Sequence, residues 1–414
     1  MGCAASASST RSAPLPSKNS TSAPAMASTD KLNILLQEDL TIRGGAQLWL
    51  MNCGSRMRDA GHAVTFLLPS ESLLIPDIQA MEGVTLETYD AAKIAEDPQA
   101  FKQQFTSLLV PAQVCVTLVR QKRGGFQNVA FMGQCISDAN LRTFLIAKTG
   151  TPDPTYETSF YGGPLLAKGQ CCVITIAQYT KDFIVENMGV PANLITNVYN
   201  GTDTAKFKRT AEMAQVARER YPCATPPNAF VVGCIGSYEE RKAQSLLLKA
   251  AKKLVETGRL PNIHCLFVGE GPDRDMLDAL IDELGLREHV TLAEFTKEPF
   301  YVFERCDVIA LPSTGKEGLP NVLLEALAME KPCIATAKYG MPEVVVDGVT
   351  GYTFPSGDVD ALADAIVKIG GVSAEEQAKM AQKGKEMVFA EHDKVKQFEK
   401  ILTIIKEKAM AAVA

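Results

Sequence analysis

The sequence predicts an α/β protein of two doubly wound parallel-sheet domains behind a disordered N-terminal segment. Three observations carry that prediction. Short apolar runs alternate with amphipathic helical patterns through residues 31–205 and again through 229–372, as expected where helices cover both faces of a parallel sheet. A Pro-rich stretch, "YPCATPPN" (221–228), ends a 206–228 junction between the two series. The chain has 414 residues, comfortable for two domains at roughly 100–200 residues each.

In order, "LNILL" (32–36) reads as a buried strand, followed by a turn at Gly44 and Gly45 and an amphipathic stretch over 46–60. Strands are predicted at "HAVTFLL" (62–68), "VTLETY" (84–89), "AQVCVTLV" (112–119) and "QCCVITIA" (170–177). A helix over 178–188 and the strand "LITNVYN" (194–200) complete the first series. Between about 120 and 170, Gly, Pro and aromatic residues break every period and no element is assigned. A polar helix lies in the junction. The second series has strands "AFVVGCIG" (229–236), "IHCLFVG" (263–269), "VTLAEF" (290–295), "CDVIALPS" (306–313), "KPCIAT" (331–336) and "GYTF" (351–354). Helices are predicted over 241–257, 273–285 and 359–369. The Lys- and Ala-rich segment 373–414 has a helical pattern that either packs back across the junction or lies solvated.

Residues 1–30 are Ser-, Ala- and Pro-rich, without an aromatic residue and without an acid before Asp30. Such a segment buries too little apolar surface to offset its ordering entropy. Its start fits M-G-x-x-x-S, an N-myristoylation pattern at Gly2, with Cys3 available for palmitoylation as the second anchor a stable membrane association needs. A transit peptide to a plastid and an uninformative tail are the rival readings. The net charge of −6 argues against a nucleic-acid surface. Eleven cysteines without C-x-x-C spacing fit a reducing, cytoplasmic compartment. The four histidines are too scattered for a zinc site. No apolar run approaches the roughly 20 residues of a membrane span.

The chemistry concentrates in "KEGLPNVLLEALAMEKPC" (316–333). A strand ends near Ser313, and Pro320 suits a first helical position. Gly318 allows close backbone approach, and the amides of 318–321 with the helix dipole form an anion site suited to phosphate. A carboxylate touching that phosphate would be repelled. Glu317 therefore makes sense pointing past it at hydroxyl groups, and Glu325, about one turn on, can accept two hydrogen bonds from a ribose diol. A phosphate flanked by two sets of hydroxyls describes a nucleotide sugar. The plain alternative is a helix-dipole glutamate followed by a solvated one.

The run 317–358 closely resembles the E-x7-E region of retaining glycosyltransferase family 4. Segments 266–292, 306–313, 174–207 and 44–67 resemble the same family in the same order, so that only about 90–170 and the ends are uncovered. The resemblance implies the GT-B fold, two facing Rossmann-like domains with the nucleotide-sugar donor on the second. By position, Glu317 would contact the donor sugar and Glu325 the ribose. Gly318, Leu319, Pro320 and Asn321 would line sugar and diphosphate, Glu294 and Phe295 would border the base, and Gly44 and Gly45 would face the cleft. It implies no metal and no cofactor: positive side chains neutralise the leaving diphosphate, and the anomeric configuration is kept with Glu317 positioning the sugar.

Two departures stand out. The family reads G-R-x4-K after the first strand of its second domain, and here "GSYEERK" (236–242) has Ser237 for the arginine. Lys242 matches the lysine, and Arg241 is the candidate replacement for the missing charge. No histidine occupies the usual place near the donor sugar. The loop "AKTGTPDPTY" (147–156) lies approximately there, offering Lys148, Thr149 and Asp153 for sugar or acceptor contacts. The implied function is a glycosyltransferase using a UDP- or GDP-sugar and an unidentified hydroxyl acceptor; an acylated N-terminus would point to a lipid-linked acceptor on a cytosolic membrane face, and a small soluble sugar or glycerol derivative is the alternative. A membrane-tethered nucleotide-sugar-binding protein without turnover and a nucleotide-sugar epimerase are the alternatives.

Overall fold

The computed structural model describes residues 31–42, 45–94, 96–119, 128–150, 161–223 and 229–413. The first sheet comprises β1 (Asn33–Gln37), β2 (Ala63–Pro69), β3 (Thr85–Tyr89), β4 (Val114–Leu118), β5 (Phe144–Thr149), β6 (Cys171–Thr175) and β7 (Ile195–Asn197). All pair in parallel, in the order β3-β2-β1-β4-β5-β6-β7. The second comprises β8 (Phe230–Ile235), β9 (Ile263–Val268), β10 (Val290–Ala293), β11 (Val308–Leu311), β12 (Cys333–Thr336) and β13 (Gly351–Phe354). It is parallel too, ordered β10-β9-β8-β11-β12-β13.

Helices on both faces explain the unbroken apolar runs: every residue of β4, β6 and β9 is buried. The helices show the complementary stripe. Gln244–Glu256 buries Leu247, Leu248, Ala250, Ala251 and Leu254 against the second sheet. Val359–Gly370 starts where the Asp358 carboxylate accepts from the Asp360 and Ala361 amides at 2.9 Å, a cap that usually stabilises by about 1 kcal/mol.

The C-terminal segment forms two helices that part company. Ala374–Glu391, opened by a Ser373–Glu376 capping box, packs on the second lobe, with Val388 in its core. The chain then crosses beside Thr202, whose amide donates to the His392 carbonyl (2.8 Å) and whose carbonyl accepts from Lys394 (2.9 Å). The helix Lys394–Val413 lies on the first lobe, where Phe398, Ile401, Ile404 and Ile405 join Ile34, Leu36 and Leu50 in one core. Each such side chain contributes roughly 1.5–3 kcal/mol.

Three details differ from the sequence-based expectation. The unassigned 120–170 stretch contains the helix Asn128–Asp138, the strand β5 and the short helix Pro164–Ala167. Lys148 and Thr149 therefore belong to a buried strand and not to a loop. Pro320 precedes the helix Asn321–Ala328 in extended backbone (φ −72°, ψ 116°) instead of occupying its first turn. The strand expected at 290–295 stops at Ala293, which leaves Glu294 and Phe295 on the loop beyond it.

Candidate active site

Both sheets change winding direction at their centres, between β1 and β4 and between β8 and β11. Loops leaving the carboxyl ends of strands at such points line the crevice where ligands bind. Here the two crevices share one cleft of about 1590 Å³, larger than the roughly 300–1,000 Å³ typical of a single ligand pocket. Its first-lobe wall includes Leu40, Gly45, Trp49 and Asn52, with Lys148 and Gly150 at the end of β5. The second-lobe wall includes Gly236, Ser237, Gly269, Glu270, Phe295, Lys316, Asn321 and Glu325. The crossing segments add Asp203 and Lys206 on one side and Lys394, Gln397 and Phe398 on the other.

The loop after β11 folds back on the turn after β8, where the Thr314 and Gly315 amides both donate to the Arg241 carbonyl at 3.0 Å. This delivers Glu317, 8% exposed, between three donors. Its Oε1 accepts from Lys242 Nζ at 2.6 Å, Arg241 Nη1 at 3.0 Å and Ser313 Oγ at 3.0 Å. A carboxylate removed from water needs such partners, since leaving it unpaired costs several kcal/mol. Arg241 also donates through Nε to Glu239 at 2.8 Å, and Ser237 Oγ donates to the same side chain. The Ser237 hydroxyl first, and then Arg241, hold the Glu239 carboxyl below its ordinary range. Ser237 thus stands in the same cluster as Arg241 and Lys242.

Gly318 lies at a backbone crossing. A Cβ there would sit 2.1 Å from the Gly150 carbonyl oxygen of the first lobe, and a Cβ on Gly340 would sit 1.6 Å from the Gly318 carbonyl oxygen. Three backbone segments are therefore stacked without room for side chains. Leu319 and Pro320 are buried beneath the cleft and do not line it. Asn321 opens the helix and reaches across towards Gly45, its Nδ2 lying 3.9 Å from where a Cβ would stand. One turn further, Glu325 faces the cleft, and its carboxylate makes no hydrogen bond among the described residues. Burial pushes its carboxyl up to about 7, with Lys206 opposing.

Phe295 is 59% exposed at the cleft, an apolar ring available for stacking. Glu294 is exposed beside it and is not among the lining residues. Lys148, 6% exposed, lies with its Nζ 4.2 Å from the centroid of Trp49. Trp49 stacks on Phe398 at 6.2 Å, and Arg56 closes the column 5.3 Å from the Phe398 ring. Thr149 is buried. Gly44, Asp153, Gly2 and Cys3 lie outside the described residues.

No histidine lines the cleft among the described residues, although His392 sits behind it, its Nδ1 3.3 Å from the Asn200 carbonyl. Among those residues no group of three His, Cys, Asp or Glu side chains is placed to hold a metal ion. Sequence reasoning missed the contribution of Lys394, Gln397 and Phe398, which reach the cleft only because the chain crosses back beside Thr202 and lays its last helix on the first lobe. The lone tryptophan beside the glycine turn was the one local hint of that wall.

Residues 218–387 match the family model "Glycosyl transferases group 1". A GDP-mannose-dependent α-(1-6)-phosphatidylinositol monomannoside mannosyltransferase of Mycolicibacterium smegmatis is 31% identical over 202 residues, 47% of this chain and 51% of that one. An α-D-kanosaminyltransferase of Streptomyces kanamyceticus is 29% identical over 202 residues, 48% of this chain and 50% of that one. The chain thus spans about half the length of these curated relatives. Among solved structures, Anabaena Alr3699/HepE in complex with UDP superposes with a TM-score of 0.77 at 19% identity, covering 91% of this chain and 100% of that one. Sucrose-phosphate synthase of Thermosynechococcus elongatus gives 0.72 at 18% identity, covering 92% and 100%. Two parallel-sheet Rossmann-like lobes and these structural neighbours show a GT-B fold, and residues 218–387, most of the second lobe, are similar to the group 1 glycosyl transferases.

Proposed function

We propose that the chain is a retaining, metal-independent glycosyltransferase that moves a sugar from a UDP- or GDP-sugar to a hydroxyl acceptor. The observation that carries this reading is the meeting of Glu317 with Arg241 and Lys242, which are not themselves among the residues lining the cleft, while the nearby Lys316 and Ser237 and, eight residues on from Glu317, Glu325 line it. Arg241 and Lys242 are balanced here by Glu317 and Glu239, so a diphosphate would have to take their place as the cations' partner, helped by the positive end of the helix dipole. A diphosphate bound there takes over Arg241 and Lys242 and frees Glu317 to accept from sugar hydroxyls. Glu325 then receives the ribose diol, and Phe295 borders the base.

In the transfer, the bond from the anomeric carbon to the phosphate oxygen breaks, and the acceptor oxygen bonds to that carbon on the same face. The departing phosphate oxygen takes the acceptor proton, while Arg241 and Lys242 stabilise its charge. UDP in the HepE complex and GDP-mannose in the mycobacterial relative's name support a nucleoside-diphosphate donor. Acylation at Gly2 and Cys3 belongs to the same proposal, placing the enzyme on a cytosolic membrane face. The N-terminal mass after expression in a eukaryotic cell decides it.

The test is nucleoside-diphosphate release from a panel of UDP- and GDP-sugars with mixed acceptors, with products identified by mass and anomeric configuration. Trp49 is the single tryptophan and lines the cleft, so its fluorescence should change on donor binding. A fluorescence change with no release across the panel would replace the enzyme by a nucleotide-sugar-binding protein. Release of free diphosphate without acceptor would point to an epimerase.

Glu325 makes a pH prediction. Its ionised form is the better acceptor for two ribose hydroxyls, so donor affinity should rise as pH increases through about 7. Folding without donor carries the opposite sign. A carboxyl raised by burial leaves stability intact below its ordinary range, and stability falls as pH rises through about 7. Glu325→Gln should therefore flatten the affinity profile, weaken donor binding about tenfold at pH 8, and raise the donor-free Tm at pH 8 but not at pH 4. Fluorescence titration and thermal melts read both. An unchanged affinity profile would remove Glu325 from the ribose.

A further inference from the structure

The helix Gln178–Met188 of the first lobe begins without a cap of its own. Ala177, at the cap position, is buried and has no side-chain acceptor, whereas Ser, Thr, Asp or Asn usually fills that place. The orphan amides are instead satisfied from the other lobe. Glu343, ending the short turn Met341–Glu343 after β12, accepts from Gln178 N through Oε2 and from Tyr179 N through Oε1, each at 2.8 Å. One carboxylate thus grips the positive end of a helix belonging to a different sheet, with both oxygens engaged.

That grip is connected to the donor loop. Thr180, in the first turn of the same helix, donates to the Gly150 carbonyl at 3.2 Å, and this is the oxygen against which Gly318 packs. Gly340, three residues before Glu343, lies on the other side of Gly318 and donates to the Glu317 carbonyl at 3.2 Å. Tyr339 beside it takes left-handed backbone (φ 59°), unusual for a side chain of that size, and sets its ring 5.7 Å from Tyr179 across the lobe boundary. The Glu317–Gly318 segment is clamped between Gly150 and Gly340, and the ends of the clamp are tied together by Glu343.

We propose that Glu343 is a positioning residue for transfer: by capping the first-lobe helix from the second lobe, it latches the lobes in the arrangement that seats the Glu317 loop against Gly150. It is not among the residues lining the cleft and acts through the closure that brings donor and acceptor together. This inference rests on the proposed glycosyl transfer for its kinetic consequence but not for its structural one.

The test uses the full chain, with Glu343→Ala, Glu343→Gln and the double variant Ala177→Ser/Glu343→Ala, which gives the helix a cap of its own. Small-angle scattering, independent of activity, should show a larger radius of gyration for Glu343→Ala than for wild type, with Glu343→Gln between them. UDP or GDP affinity, read by Trp49 fluorescence, should stay within about twofold, since the second lobe alone supplies most of that site. Turnover with acceptor should fall on the order of tenfold, within the usual range of coupling between sites. The double variant should regain thermal stability and slow exchange of the first-turn amides, yet remain expanded and slow. Recovery of compactness and turnover in the double variant would reduce Glu343 to an ordinary helix cap and overturn the proposal. So would a wild-type radius of gyration in Glu343→Ala. Should wild type transfer no sugar, scattering still decides the latch and only the proposed reaction fails.

Discussion

Lys242→Ala is expected to lower turnover by about 10²–10³-fold, the usual loss when one preorganised donor to a developing charge is removed. Lys242 Nζ lies 2.6 Å from Glu317 and 13% of its side chain is exposed, whereas Arg241, at 3.0 Å, is 43% exposed and shares its charge with Glu239. The more enclosed cation faces less water and, in the proposed transfer, would act with greater strength on the leaving diphosphate. The fold should survive, because Arg241 and Ser313 still donate to Glu317. Nucleoside-diphosphate release at saturating donor, beside a thermal melt, measures the effect. A change confined to KM would assign Lys242 to ground-state binding and not to departure of the leaving group. Arg241→Ala, the partner experiment, should cost less and shows how far that residue replaces the arginine absent at Ser237.

Gly318→Ala should be about as damaging for a different reason. The added methyl would stand 2.1 Å from the Gly150 carbonyl oxygen and 2.9 Å from Ile176 Cδ1. A carbonyl within a strand-to-loop corner cannot rotate away as a side-chain tip can, so either the Glu317 loop retreats or the lobes separate. A displacement near 1 Å in a group that positions substrate costs roughly 100-fold in rate, and a loss of at least that size is expected. Melting temperature should fall as well, because Leu319, the next residue, shares an apolar cluster with Ile176 and Ala177 of the first lobe. Full activity in Gly318→Ala would mean that sugar transfer occurs in an arrangement where Gly150 and Gly318 do not meet.

Much of the fold is legible from local pattern. Parallel strands buried on both faces read as apolar runs, and β8, β9 and β12 lie where such runs were found. β5 escaped notice because the Gly- and Pro-bearing stretches on either side obscure the six residues between them. The site is less legible because its parts are distant in sequence. The E-x7-E spacing marks Glu317 and Glu325, yet it carries no sign that Glu317 is the shared counter-charge of Arg241 and Lys242, some 75 residues earlier. Nor does it show that Leu319 and Pro320 lie under the cleft. The bidentate cap from Glu343 joins residues about 165 apart, and nothing around Gln178 announces it except the missing polar side chain at Ala177.

The last helix has a bearing on how the protein is made. Phe398, Ile401 and Ile405 complete the apolar interior around Leu36 and Leu50, so the lobe translated first is the one finished last. Until the ribosome has delivered these residues, an oily trough on the early lobe faces water, while the later lobe already possesses its full interior. Biogenesis thus runs against the order of the genetic message, and the nascent early lobe is the natural client for a chaperone.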